Sequence, residues 1–176
     1  SSRRPPTWWR RLMWSWARSL NSSHTPSHRW TLPILGGESV VADAEKQFFQ
    51  GGRWAVVGAS RDPDKFGHIV HRRLRGRGED VYPVNSQAKD VAGEPCYASL
   101  ADLPEPVDQI VIVVPPRSTE RVVEEAAERG ITRVWMQPGA ESSAAVEFCK
   151  ARGINVVSGR CILRYMDQMD ADARYR

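Results

Sequence analysis

The residues with the most chemical content are Gly58, Ala59, Ser60 and Arg61, which follow the unbroken apolar run Trp54 to Val57. Gly58 stands where the chain must turn sharply, and Ala59 and Ser60 are small enough for a ligand to approach the backbone. Downstream of Gly67, Ile69, Val70 and Leu74 fall at helical spacing, so the polar stretch between is a strand-to-helix loop. The free N–H groups of such a loop, with the positive end of the following helix, favour an anionic phosphate without requiring any particular side chain. Many junctions of this kind bind nothing, and the glycine then serves only the turn. Both readings stand on this stretch alone.

Other chemistries have less support. Cys96, Cys149 and Cys161 are odd in number, widely separated and without Cys-x-x-Cys spacing. That argues for free thiols in a reducing compartment, against a disulfide framework and against a zinc site. The histidines divide between His24 and His28 near the amino terminus and His68 and His71 after the glycine loop, with no His-Glu-x-x-His pattern, so no metal site is expected. No Gly-x-Ser-x-Gly nucleophile elbow is present, and no catalytic residues are assigned. A nicotinamide dinucleotide site expects Gly-x-Gly-x-x-Gly and an acidic residue ending the second strand. Here no glycine follows Gly58 until Gly67, and the second strand ends in Asn85. Instead Arg61, Lys65 and Lys89 lie in or near the first two loops, which suits a ligand with phosphates at more than one position; each taken singly also reads as an ordinary solvated charge.

Positioning these loops requires alternating strands and helices, and the sequence supplies them. Trp54 to Val57 reads as a strand buried on both faces, followed by strands at Asp80–Val84, Gln109–Val114, Arg133–Met136 and Asn155–Val157. A helix over Glu38–Gln50, stopped by Gly51 and Gly52, precedes the first strand. Further helices follow Gly67, begin at a Ser118 or Thr119 cap, and run from Glu141 to Arg152. Ser99 with Asp102 reads as the cap of a short helical turn, and Asn85 to Pro95 as loop. Right-handed crossovers then give an α/β, Rossmann-like fold: a five-stranded parallel sheet with helices on both faces and ligands beyond the carboxyl ends of the strands.

The formal charge of +4 and pI near 9.2 resemble those of a nucleic-acid binder only until the charges are located. Six of the 25 basic residues (Arg3, Arg4, Arg10, Arg11, Arg18 and Arg29) precede Glu38 and no acid does, so 19 basic residues face 21 acids from Glu38 onward. The globular part is thus about neutral, and no nucleic-acid partner is expected. Residues 1–37 hold five of the seven tryptophans and read as a basic Trp/Arg/Ser-rich tail, either disordered or an organellar transit peptide, too short in apolar residues to span a bilayer. Residues 38–165 form the expected domain, and 166–176 a polar tail within a stretch from Ser158 onward that reads as partly ordered. The expected compartment is the cytoplasm, or an organelle matrix if 1–37 is a transit peptide.

Several ordered motifs carry a resemblance: Val56-Val-Gly-Ala-Ser-Arg61, Val81-Tyr-Pro-Val-Asn85, Cys96 to Asp108, Val113-Val-Pro-Pro116 and Val134-Trp-Met-Gln-Pro-Gly-Ala-Glu-Ser142. Over Arg53 to Leu163 the chain resembles the small stand-alone CoA-binding domain proteins related to the amino-terminal domain of the succinyl-CoA synthetase α subunit. The resemblance implies coenzyme A as the cofactor. Ala59, Ser60 and Arg61 would wrap its phosphates, with Asn85 and Lys89 near the ribose phosphate. Val114 and Pro115 would border the adenine, and Gln137, Pro138 and Gly139 the pantetheine path. Where the family commonly has proline after the asparagine, this chain has Ser86. No histidine matches the phosphorylated one of the synthetase's second domain, so the expected function is binding of CoA or an acyl-CoA without ligase activity. Two rivals are a small NAD(P)-dependent oxidoreductase and a redox-sensing regulatory module. A homodimer or a protein partner is left open, and Cys161, just past the fifth strand, could form a mixed disulfide with the CoA thiol.

Overall fold

The structure, a computed structural model, describes residues 44–175. The expectations for residues 1–37 and for the start of the first helix lie outside the described residues. A helical segment over 44–47 leads into β1 (Trp54–Val57), which is buried at every position. Then come α1 (Phe66–Gly76), β2 (Val81–Val84), the two-residue strands β3 (Asp90–Val91) and β4 (Glu94–Pro95), and a 3-10 turn at Leu100–Asp102. The chain continues through β5 (Gln109–Ile112), α2 (Pro116–Glu128), β6 (Arg133–Met136), α3 (Ser143–Ala151), β7 (Asn155–Val157) and α4 (Ile162–Arg174).

The principal sheet has the order β2-β1-β5-β6-β7 and is parallel throughout. β1 lies at its turning point: the chain goes from β1 to β2 on one side and returns to β5 on the other. Each strand residue points to one of two cores. Ala55, Val57, Ile110, Ile112, Val134 and Met136 pack with α2 and α3. Trp54, Val56, Val111 and Trp135 pack with Val70 and Leu74 of α1 and Ile162 and Met166 of α4. Helices thus cover both faces, as continuous apolar strands require.

Four expectations are corrected. The stretch from Asn85 to Pro95 is not all loop: β3 and β4 form an antiparallel hairpin turned by Ala92 (φ +52°) and Gly93 (φ +83°). Its signal was weak because the strands are two residues long and only Val91 is buried. The stretch from Ser158 is not a partly ordered tail, for α4 runs through it. Arg73 of α1 and Arg77 just past its end pair with Asp167 and Asp170 of α4, so its charged residues form a clamp rather than a solvated end. Finally, α2 begins at Pro116 without a side-chain cap; the Thr119 hydroxyl turns back toward the carbonyls of Val114 and Pro115. Ser99 likewise donates to the Asp102 carboxylate at 2.7 Å instead of capping a backbone N–H.

The amino-terminal end of the sheet is closed by the chain itself. Arg133 donates to the carbonyls of Gln47 and Gly51, and Asn155 to that of Ala44. Gln109, in the same row, is fully buried with neither amide atom partnered. Phe48 meets the Trp135 ring edge-on, centroids 5.3 Å apart.

The closest approach between layers is that of α1 to β1. A Cβ on Gly67 would run into the carbonyl oxygen of Gly58, a backbone atom that cannot move aside. At Gly76, the last residue of the same helix, a Cβ would meet nothing within 4 Å. Gly67→Ala is therefore expected to lower the unfolding free energy by at least about 2 kcal/mol. Gly76→Ala should be neutral or stabilising by up to about 1 kcal/mol. Urea denaturation of both variants measures the contrast; equal effects would refute the close approach.

Candidate functional site

Four strand ends open on one rim. β1 ends in Gly58, β2 in Asn85, β5 in Val113 and Val114, and β6 in Gln137, and β2-β1-β5-β6 are successive neighbours. Gly58 has φ +94°, and a Cβ there would lie 2.9 Å from Val114 Cγ1 and 3.1 Å from the Val113 carbonyl carbon. Glycine is required twice over, by conformation and by the approach of the β5 loop. The backbone N–H groups of Gly58 and Ala59 both point to Val84 O, at 2.9 and 3.3 Å.

The loop from Ser60 to Lys65 is ordered by its own side chains. Ser60 Oγ accepts from Asp62 N at 3.1 Å, and Asp62 Oδ1 from Asp64 N at 3.1 Å. His68, in the first turn of α1, places Nδ1 2.8 Å from Ser60 O; a carbonyl only accepts, so Nδ1 carries the proton. α1 then starts with no side-chain cap and no acidic residue in its first turn, which leaves its positive end facing the rim.

Asn85 is engaged by the chain itself. Its amide nitrogen donates to Ala59 O at 2.5 Å and its oxygen accepts from Gln87 N at 2.8 Å. Its side chain thus ties the first two loops together. Lys89 is exposed, just before β3, and its carbonyl accepts from Cys96 N at 3.0 Å. Val114 is half-buried and Pro115 exposed; Pro138 is exposed and Gly139 half-buried, its N–H donating to Glu141 at 2.5 Å. Gln137 is 2% exposed, and neither amide atom has a hydrogen-bond partner.

Many of the charges away from the rim are matched. Arg53, Arg73, Arg75, Arg77, Lys150 and Arg160 all pair with carboxylates. Among the described residues Arg61, Lys65 and Lys89 have no such partner, and neither do Arg117 and Arg121 at the start of α2, which sequence reasoning did not single out. Lys46 and Arg72 also lack a carboxylate, as do Arg129, Arg133, Arg152 and Arg174, which meet carbonyls or a ring instead, but these stand away from the strand ends. Gly67 and His68 were likewise missed as site residues. Their signal was only the recurrence of glycine at the helix start. A separate polar cleft of about 590 Å³ lies at the opposite end of the sheet, lined by Lys46, Gln47, Gln50, Thr132, Arg133, Gly153 and Asn155. Arg133 and Asn155 there are committed to holding the segment before β1.

The parallel sheet, its strand order and its covering helices define a Rossmann-like α/β domain. Residues 52–167 match the model of the CoA-binding domain family, and the chain belongs to that family. It is 31% identical over 126 residues to the α subunit of acetate–CoA ligase (ADP-forming) II of Pyrococcus furiosus, a match covering 65% of this chain and 28% of that subunit. The chain thus spans less than a third of that relative. YneT of Bacillus subtilis, an uncharacterized protein, is 29% identical over 110 residues, covering 62% of this chain and 82% of its own length. Among solved structures, a conserved hypothetical protein of Pyrococcus furiosus is 42% identical with a TM-score of 0.61, covering 64% of this chain and 97% of that one. A hypothetical protein of Pyrococcus horikoshii is 31% identical with a TM-score of 0.70, covering 80% of this chain and 98% of that one. The likeness thus extends to small single-domain proteins as well as to a ligase subunit.

One titratable group beneath the site links it to pH. His71 is 1% exposed, with neither ring nitrogen hydrogen-bonded and Glu94 Oε2 3.8 Å from Nε2. Burial, more than the nearby Glu94, Arg75 and His68 charges, holds its pKa below the ordinary 6.5. The unfolded chain therefore takes up a proton that the folded chain refuses. Stability conferred by neutral His71 is present above about pH 6.5 and is lost as pH falls through the lowered folded value. Urea midpoints measured from pH 8 to pH 5 should fall on acidification, and His71→Leu should flatten that slope; an unchanged slope would remove His71 from the account.

Proposed function

We propose that this chain binds coenzyme A or an acyl-CoA at the carboxyl rim of its sheet and has no ligase activity of its own. The observation that carries the reading is the set of unpaired cations, Arg61, Lys65 and Lys89, around the loop at the turning point of the sheet, in a chain of the CoA-binding domain family. A ligand with a pyrophosphate and a separate ribose phosphate needs cations at more than one place. Arg61 and Lys65, with the amide of Ser60 and the start of α1, suit the pyrophosphate. Lys89 suits the ribose phosphate, Val114 and Pro115 the adenine, and Gln137, Pro138 and Gly139 the pantetheine arm. Asn85 acts through the loop it braces. The free thiols favour a reducing compartment, the cytoplasm or an organelle matrix.

When bound, CoA supplies a thiol that carries acyl groups. The residues of this chain bind and orient it, and none named here activates a carboxylate or transfers a phosphoryl group. The end of β2 is Asn85 rather than an acid for a ribose hydroxyl pair, which disfavours NAD(P).

Calorimetric titration of the full chain with CoA, acetyl-CoA, ADP and NADH tests the reading. CoA and acetyl-CoA should bind at least about tenfold more tightly than NADH, a difference of about 1.4 kcal/mol. Equal or reversed preference would overturn it. Arg61→Ala and Lys65→Ala should each weaken CoA by about 1 kcal/mol. Lys89→Ala should weaken CoA more than 3′-dephospho-CoA, since the latter lacks the phosphate that Lys89 meets.

A further inference from the structure

Beyond the loops already assigned, the rim continues to β7. β7 neighbours β6, and the chain leaves it through Ser158, Gly159 and Arg160 to Cys161, the N-cap residue of α4. Cys161 is partly exposed and makes no side-chain capping bond, and its carbonyl accepts from Tyr165 N at 3.1 Å. From the β1 loop to the β7 loop is three strand spacings, about 14 Å. A pantetheine arm that starts from a pyrophosphate at the β1 loop and crosses β5 and β6 therefore ends beside the start of α4.

A second observation lies on that path. Trp135 faces the α4 side of the sheet: its ring meets Tyr165 and its Nε1 donates to Arg160 O at 2.8 Å. The register that pairs Trp135 with Val157, carried two residues further, sets Gln137 level with Gly159 in the turn that leads to Cys161, and strand alternation gives it the face of Trp135. Gln137 is buried, yet its amide oxygen and nitrogen have no partner. A buried amide of this kind is costly unless something meets it, and the amides of a pantetheine arm offer the complementary donor and acceptor. Gln109, the other buried amide left unpartnered, is at the opposite end of its strand and bears on no part of this path.

The three cysteines differ in what they can do. Burial pushes the Cys149 thiol up to about 11 and also raises that of Cys96, whose sulfur lies 3.8 Å from Asn85 O. Both are held as thiols, which do not attack disulfides. Cys161 stands at the positive end of a 13-residue helix.

Resting on the CoA reading above, we propose that Cys161 is a modification site that captures CoA covalently by thiol–disulfide exchange. The co-reactant is a CoA disulfide seated by one CoA half. The Cys161 sulfur, as thiolate, attacks the disulfide sulfur of the seated half. A Cys161–S–S–CoA bond forms, the CoA–CoA disulfide bond breaks, and the departing CoA thiolate takes up the proton that Cys161 released. No net oxidation occurs, and a dithiol reductant reverses the step. The domain thereby holds CoA reversibly when CoA disulfide accumulates.

Intact-protein mass spectrometry of the full chain incubated with CoA disulfide tests this, with glutathione disulfide as the unguided control. The expected result is a single adduct, a mass increase of one CoA less two hydrogens, mapped to Cys161 and removed by dithiothreitol. It should form at least about tenfold faster than the glutathione adduct, because binding supplies proximity. Cys161→Ser should abolish it while binding CoA in calorimetry as the parent does. Gln137→Leu should slow it, and Cys96→Ser should not. If the parent binds CoA but labels at Cys96, labels at no cysteine, or reacts with both disulfides at one rate, the inference is overturned and the binding reading survives. If no CoA binds, the binding reading itself falls and takes this one with it.

Discussion

The contact on which the rest depends is the seating of α1 against the end of β1, where Gly67 has no Cβ and the Gly58 carbonyl occupies the space one would take. That approach sets the start of α1 at the carboxyl end of the central strand. It brings His68 to Ser60 O, and so fixes the loop between strand and helix from its far side. Gly58 in turn admits Val113 and Val114 of the next strand end. Asn85 closes the arrangement by donating to Ala59 O. Three loops distant in sequence are thereby held as one backbone surface. A surface that is fixed before a ligand arrives loses little order on binding.

The two ends of the sheet differ in what their polar groups meet, although each keeps one buried amide without a partner, Gln109 at the amino-terminal end and Gln137 at the carboxyl end. At the amino-terminal end Arg133 and Asn155 find them in the backbone that precedes β1, so that end is sealed by the chain. At the carboxyl end Gln137 has none, and the cations nearest the first loop are unpaired. Elsewhere several charges are matched locally. Arg73 and Arg77 are answered by Asp167 and Asp170, which docks α4 on α1 and carries the chain past β7 along the rim. The charge pattern of the folded domain therefore has a direction that its near-neutral total conceals.

The reading of the sequence was strongest where runs of residues are long and uniformly apolar. Trp54–Val57, Gln109–Ile112 and Arg133–Met136 were legible as strands because three of four residues or more are apolar with no polar alternation, which only a sheet covered on both faces accommodates. The β3–β4 hairpin was not, since a two-residue strand has no periodicity to read. α4 was mistaken for a loose tail because its charged face masked Ile162 and Met166, whose burial depends on a partner helix nearly a hundred residues earlier. Asn85 was legible as a site position, but the partner of its amide was not, because Ala59 O reaches it only after β1 and β2 have paired.

By itself, then, the sequence determined the order and type of the main elements, the glycine at the end of the central strand, and the charge neutrality of the domain, all of which follow from local composition and spacing. Only the tertiary structure decided which cations remain unpaired, which amide is buried without a partner, and that Cys161 begins a helix at the rim. Those properties belong to pairs of groups rather than to residues. They exist only once the parallel sheet has brought strand ends far apart in the chain to within a few strand spacings of one another.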